Sequence, residues 1–452
     1  MKKYQYLCLI GIMALGLISI IGTGGGGGGG GVVPFYATYI VTNTEDSGEG
    51  SLRAAIESAN DKDDLDLISF NIPGLGPHTI QPLSALPDII YPVVIDGYTQ
   101  PGATPATESD PAALIIEIDG SRISCYELHY CSCLTIHADN STVRGLVINR
   151  CDDAGIHIDS SNGGNIIEGN YIGTDVTGTI KMGSWASGVR IWNSPDNIIG
   201  GTTPAARNVI SGSFDSNGVE ILLSEAENNI VQGNYIGTDV SGTEALGNSH
   251  YGVNIKQGAS YNTIGPDNVI SGNGEVGIYL NGEVEPVLGN SIVNNLIGTD
   301  AFGKYNLELG NHPGIHLLNC DNSTFIENTV TGSAFNGILI SNSENNTFTK
   351  NTVTNNTGNG VVLNDESNFN TFVENVAQNN GRNGFRIDNS SGNSLIGNIS
   401  NGNGDIESGG FGYVDHTEGM GTSGTDNAYS ENNCENNSSG GSDPTGLCSP
   451  QT

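Results

Sequence analysis

Positive charge is scarce in this chain. Fifteen Lys and Arg stand against 49 Asp and Glu, for a formal net charge of −34. That excludes a nucleic-acid partner, because phosphate binding needs a Lys/Arg surface. It also disfavours a bare polyuronate or another polyanion, unless metal ions bridge the two. The acidic excess reads as solubility outside the cell. Large hydrophobes are thin as well. Only 36% of the 452 residues are hydrophobic, with two Trp and four Met, whereas 66 are Gly. The length would allow several ordinary domains, but this composition cannot build one large compact core. It suits a thin core made by stacking short segments, as in a solenoid. No C-x-x-C pair has a second half, which argues against a zinc site.

The first 23 residues read as an export signal or anchor. Lys2 and Lys3 precede a nearly all-apolar run, Leu7 to Ile21, short for a membrane span. No A-x-A site follows, so cleavage and retention as an anchor both stay open. The export reading places the protein outside the cell, at its surface or in a periplasm. Residues 24–37, with the run Gly24 to Gly31, form a flexible linker. Export permits disulfides. Cys434 and Cys448, close together near the C-terminus, are the expected pair. The pairing among Cys125, Cys131, Cys133, Cys151 and Cys320 stays open.

Residues 38–133 read as an N-terminal cap and first coils. Ser51-Leu-Arg-Ala-Ala-Ile-Glu-Ser-Ala-Asn60 predicts a short helix with Ser51 near its N-cap and Leu52, Ala55, Ile56 and Ala59 on one face. Such a helix would cover the open end of a solenoid.

Residues 134–437 repeat. One element is Gly followed by apolar residues at alternate places: Gly155-Ile-His-Ile-Asp159, Gly188-Val-Arg-Ile-Trp192, Gly218-Val-Glu-Ile-Leu222, Gly252-Val-Asn-Ile-Lys256, Gly277-Ile-Tyr-Leu-Asn281 and Gly314-Ile-His-Leu-Leu318. Period two is a strand signal. A second pattern, Asn-x-apolar-x-x-Asn-x-apolar, follows each, as in Asn346-Thr-Phe-Thr-Lys-Asn351-Thr-Val353. Three short strands per coil result. Ile167, Ile199, Val231, Ile264, Ile292, Phe325, Phe348, Phe372 and Leu395 are expected to stack as one inward column. Asn170, Asn234, Asn295, Asn328, Asn351, Asn375 and Asn398 are expected to form a ladder, each Asn tolerating a left-handed backbone at a tight turn. Residues 438–452 are expected to be a C-terminal tail.

Asn170-Tyr-Ile-Gly-Thr-Asp175 recurs 64 residues later and again after 61, at Asn234 and Asn295. These loops project from alternate coils and are expected to flank the outer face of the Gly-Ile-x-Ile strand. Asp175, Asp239 and Asp300 within them are candidate Ca²⁺ ligands, a hard cation that wants several oxygens. The competing expectation is an Asx-turn that braces each loop.

These patterns resemble the pectin-lyase-like superfamily of right-handed parallel β-helices, and more narrowly bacterial extracellular proteins with parallel β-helix repeats. Val41-Thr-Asn-Thr-Glu-Asp-Ser-Gly-Glu-Gly-Ser-Leu-Arg-Ala-Ala-Ile56 is similar to the cap of that group, Ile95-Asp-Gly-Tyr-Thr-Gln-Pro-Gly-Ala103 to its next segment, and Asn-x-Ile-Gly-Thr-Asp to its body repeat. The resemblance covers nearly all of residues 38–437. It implies an all-β, single-stranded, right-handed solenoid of about a dozen coils with a small capping helix. Characterised relatives include polysaccharide lyases, glycoside hydrolases, uronan epimerases and non-catalytic adhesins, which implies a polysaccharide or glycan partner.

The outward positions of the Gly-Ile-x-Ile strands would then face the usual substrate cleft. Trp192, Tyr279, His157, Arg190 and His316 are the candidate carbohydrate contacts. His157, Asp159, Arg190, Glu220 and Lys256 are the candidate catalytic groups. Asp159 and Glu220 would be a glycosidase carboxylate pair, and Arg190, Lys256 or His157 a lyase base. The competing expectation is an ordinary solvated sheet face. The reaction motifs of the superfamily are missing: no Asp-Pro-His-Asp occurs, Cys151-Asp152-Asp153 lacks the Gly-His-Gly that accompanies the polygalacturonase pair, and Tyr413-Val-Asp-His416 lacks the Arg-rich partner of pectate lyases. The expectation is therefore a non-catalytic carbohydrate-binding, surface-layer or adhesive role. A lyase or hydrolase in the same groove and a purely structural rod are the alternatives.

Overall fold

A computed structural model describes residues 37–123, 131–405 and 409–449. The expected export signal, all of the linker except Ala37, and Cys125 lie outside the described residues. Every described residue belongs to one unit, Phe35–Thr452.

Short strands stack into three long parallel sheets. The first has 14 strands, from Thr38–Val41 to Ala428–Ser430. The second has 11, from His78–Ile80 to Val376–Gln378. The third has 12, from Leu134–Ile136 to Gly440–Asp443. Each strand pairs with its equivalent one coil on, so that Val189, Arg190, Ile191 and Trp192 register with Val219, Glu220, Ile221 and Leu222. Alternation makes this work: Val219 and Ile221 turn inward while Glu220 turns out. Gly must open these strands. A Cβ on Gly188 would stand 2.5 Å from Ile210 Cγ2 and 2.9 Å from the Gly218 carbonyl.

The inward column runs as its spacing predicts, from Ile167 through Val231 to Leu395. Phe325, Phe348 and Phe372 stack with centroids 4.5 and 4.6 Å apart and planes within 8° of parallel. Such contacts add to the burial of three large rings.

The Asn ladder is also present, with more rungs than its spacing suggested. Asn208 and Asn268 fill the gaps, because each Nδ2 donates to the next Oδ1, as from Asn170 to Asn208 at 3.2 Å and Asn208 to Asn234 at 2.9 Å. One expectation is corrected. The left-handed residue is the one before the ladder Asn at most rungs: Gly169, Gly233, Asn294, Glu327, Lys350 and Glu374 all have φ between 50° and 67°, whereas Arg207 before Asn208 is extended at −62°. The turn reverses there, and the ladder Asn is left free to bond along the axis.

The helix Leu52–Ala59 forms as predicted. Ser51 Oγ accepts from the Ala54 N–H at 3.2 Å, and Leu52, Ala55, Ile56 and Ala59 are buried against the strands Thr38–Val41 and Asp66–Phe70. The expected tail differs over its described part. Gly440–Asp443 pairs with Phe411–Asp415, and Leu447 is buried. Gly440-Gly-Ser-Asp443 has no apolar pattern to show this, because its pairing is made by backbone. Disulfides join Cys434 to Cys448 and Cys133 to Cys151. Cys131 is also disulfide-bonded, and Cys320 is a buried free thiol.

Candidate functional site

The third sheet lines up His157, Arg190, Glu220, Asn254, Tyr279 and His316 as one outward file. A parallel file two residues on carries Trp192, Leu222, Lys256 and Asn281. Asp159 follows the strand of His157, and its carbonyl is 2.9 Å from His137 Nδ1.

The charged members of this face are buried in a network. One guanidinium nitrogen of Arg190 donates to both Asp153 oxygens at 2.9 and 3.0 Å, and its Nε donates to Glu220 Oε2 at 3.0 Å. Lys256 Nζ stands 2.7 Å from Glu220 Oε1. Ser187 also donates to Glu220, and Ser132 to Asp153. Arg190 is 9% exposed and Glu220 5%. Burial opposes both charges, but the partners outweigh it: Asp153 and Glu220 hold the guanidinium above its usual range, and Lys256 and Arg190 hold the Glu220 carboxyl below its own.

This network engages several of the candidate catalytic groups: Arg190 and Lys256 each stand as a counter-ion to Glu220, and Asp159 lies outside it, 3.7 Å from His137. His157 differs from these. Burial first, and then the neighbouring Arg190, depress its imidazole to about 4. Its Nδ1 is buried without a hydrogen-bond partner. His316 is likewise depressed to about 4 by burial.

Beyond the network the face becomes aromatic. Tyr279 and His316 stack with centroids 4.9 Å apart and planes at 15°, and Tyr251 meets Tyr279 edge-on at 4.9 Å. Trp192 lies 6.3 Å from His157 and is partly exposed. Burial, helped for Tyr251 by Glu275 and for Tyr279 by Tyr251, pushes both phenols up to about 12. They are neutral hydroxyls at any physiological pH.

The alternating pattern did not disclose Tyr251, Trp185, Phe214 or Phe335. These stand in the turns that lead into the strands, and Trp185, Phe214 and Phe335 are exposed. The available signal was an aromatic within four residues before the strand-opening Gly, as in Trp185 before Gly188 and Phe214 before Gly218.

The Gly-Thr-Asp loops do not wall this face. They fold over the second sheet, where Val176, Val240 and Ala301 pack on a layer of Tyr171, Val209, Tyr235 and Val269. The loops also stack on one another, with Val240 N–H donating to Gly178 O and Ala301 N–H to Gly242 O, both at 2.9 Å. Their Asp residues are braces. Asp175 Oδ1 accepts from the Thr179 and Ile180 N–H groups, Asp239 Oδ1 from Thr243 and Glu244, and Asp300 Oδ1 from Phe302 and Lys304. These are the turn-bracing bonds of the competing Asx-turn expectation. Among the described residues no group of three or more His, Cys, Asp or Glu could hold a metal ion.

Two surface depressions lie elsewhere. One, of about 560 Å³, is bounded by Glu366, Asn389, His416 and Glu418 near the last coils. The other, of about 380 Å³, lies over Tyr171 and Tyr235 beside Arg207. The third-sheet file is in neither. It runs along an open sheet face from His157 to His316.

Residues 237–401 and 313–444 match the family model described as right handed beta helix region. No curated protein matches. Among solved structures, the Dettilon tailspike protein (gp208) is similar at 16% identity and a TM-score of 0.51, over 80% of this chain and 64% of that one. The A-module of Azotobacter vinelandii mannuronan C-5 epimerase AlgE6 shares 13% identity over 89% of this chain and 95% of its own, with a TM-score of 0.49. Pectate lyase Pel9A shares 14% over 84% and 76%, with a TM-score of 0.37. At such identities the likeness is one of fold. With its three stacked parallel sheets, the chain has a right-handed parallel β-helix fold.

Proposed function

We propose that the protein binds an extended glycan along the outer face of the third sheet, without cleaving it. The observation that carries this reading is the Tyr251–Tyr279–His316 ring series, in which Tyr279 is largely covered by its two neighbours, continuous by register with a file in which Arg190 and Glu220 are ion-paired and Glu220 also holds Lys256 of the adjacent file. Aromatic faces stack on sugar rings. Acid–base cleavage needs groups poised to exchange protons, and Arg190, Glu220 and Lys256 are held in ion pairs instead. The basic and apolar N-terminal run supports export, which would bring the face to extracellular or cell-surface glycans. Full-length protein on a glycan array tests the reading. Retention is expected, together with its loss in Trp192→Ala and Tyr279→Ala. Absence of any retained glycan, or binding indifferent to both substitutions, would contradict it.

A catalytic second reading rests on His157, a neutral imidazole with an unpartnered nitrogen beside a guanidinium. It requires unsaturated products, new reducing ends or epimerised sugars when polysaccharides are incubated with the protein, and their disappearance in His157→Gln.

A further inference from the structure

A charge withdrawn from water needs a partner. Among the described residues, Arg53, Arg144, Arg150, Arg190, Lys256 and Arg386 are buried or partly buried, and each has a carboxylate oxygen within 3.0 Å. Partly buried Arg207 has none among the described residues. Lys181 and Arg382 also lack one, but they are exposed and water solvates them. The Arg207 guanidinium lies over the Tyr235 ring, 4.3 Å from its centroid, and its Nε donates to the Gly233 carbonyl at 3.3 Å. Ring and carbonyl hold the group in place but leave its charge unneutralised.

An irregularity of the repeat puts Arg207 there. Asn197 and Asn208 are 11 residues apart, whereas Asn165 and Asn170, like Asn229 and Asn234, are 5 apart. The longer connection folds into the turn Pro204–Ala206 and delivers Arg207 extended rather than left-handed. Arg207 then borders the depression of about 380 Å³ on the second sheet. The floor is the register file Tyr171, Val209 and Tyr235, all buried. A ligand meets the rim instead: partly exposed Pro204, Val240 and Ala301, and exposed Pro111 and Phe302. Phe302 is 84% exposed. Covering these surfaces favours an apolar body. The guanidinium fork matches a planar carboxylate with two parallel bonds. Exposed Glu108 and Asp110 line the same depression without pairing with Arg207. They oppose a dianion such as a phosphate monoester more than a single carboxylate.

We infer that this depression is a ligand site separate from the third-sheet face, and that it takes a small monocarboxylic acid with an apolar ring. The carboxylate is held by Arg207 and the ring lies against the rim of Phe302, Pro204 and Val240. The site stands whether or not the third sheet binds a glycan.

Calorimetric titration of the full-length protein with benzoate, 2-naphthoate and 4-hydroxycinnamate tests the inference. The matching primary amides and phenyl phosphate are the comparison ligands. At least one acid is expected to bind saturably, roughly tenfold or more tightly than its amide, since a charge-assisted bond is lost in the amide. Phenyl phosphate is expected to bind more weakly than that acid. Arg207→Met is expected to remove the preference for acid over amide. Its melting temperature should fall far less than that of Arg190→Met, because no ion pair is broken. Phe302→Ala, at an exposed position, is expected to weaken acid and amide alike, and Tyr279→Ala on the third sheet to weaken neither. Saturable binding of none of the three acids overturns the inference, as does an amide or phenyl phosphate that binds as tightly as the acid. Acid binding that survives Arg207→Met, or that is lost in Tyr279→Ala, also overturns it. Should Arg207→Met fail to fold, Phe302→Ala decides: acid binding unchanged in that variant contradicts the inference.

Discussion

Arg190 Nε donates to Glu220 Oε2 at 3.0 Å across one coil step, so a strand-to-strand register contact is also a buried ion pair. Removing one partner of a buried pair strands the other charge, which costs about 3–5 kcal/mol. Arg190→Met is therefore expected to lower the melting temperature markedly, because Asp153 and Glu220 lose a common donor. Glu220→Gln should cost less, since Arg190 keeps Asp153. Calorimetry of the two variants checks the order. Equal or negligible losses would mean that the network is open to solvent.

The Asn ladder has a comparable consequence. Asn351 Nδ2 donates to the Phe325 carbonyl at 2.8 Å and to Asn375 Oδ1 at 2.9 Å, with its own Oδ1 accepting from Asn328. Asn351→Leu leaves those buried groups unpaired, each at about 1–3 kcal/mol. Thermal unfolding should show a loss of that order, well beyond any from an exposed Asn such as Asn345. A loss no greater than the exposed control would show the ladder to be incidental.

Much of this could be read from the sequence, and the reason is periodicity. Phe325, Phe348 and Phe372 recur at a nearly fixed interval with apolar neighbours at period two, so that their stacking follows from strand geometry. The helix after Ser51 was equally legible, because cap and apolar face agree. The candidate site was legible only in its strand file. Asp153, which fixes Arg190, sits in a turn of the preceding coil, 37 residues away, where no period marks it. Trp185, Phe214 and Tyr251 are also turn residues. Burial was hidden as well: alternation shows that Glu220 points out of the sheet, but not that Arg190 and Lys256 close over it.

The two depressed histidines give a pH signature. Their folded-state values of about 4 lie below the roughly 6.5 of a free imidazole. As pH falls the unfolded chain takes up these protons first, so stability declines from about pH 6.5 to about pH 4 and then levels off for these groups. Proton NMR should show the His157 and His316 ring signals unchanged down to pH 5. Titration of either near 6.5 would place it in solvent.

The loop carboxylates are expected to be insensitive to metal. Asp239 accepts two backbone N–H groups and the Ser241 hydroxyl, so Asp239→Ala should loosen its loop at about 1 kcal/mol per bond lost. Added calcium or a chelator should leave the melting temperature of the wild type unchanged. A calcium-dependent rise abolished by Asp239→Ala would reverse the assignment.

The glycan-binding account is tested most directly by affinity electrophoresis through gels containing, in turn, each of a panel of neutral and acidic polysaccharides. The wild type is compared with Tyr279→Ala and with Thr349→Ala, the latter on the outer side of the first sheet. Retardation of the wild type and of Thr349→Ala, relieved in Tyr279→Ala, with no new reducing ends in the gel, is the result the account expects. Equal mobility of all three proteins with and without polysaccharide, or release of sugar fragments by the wild type, would contradict it.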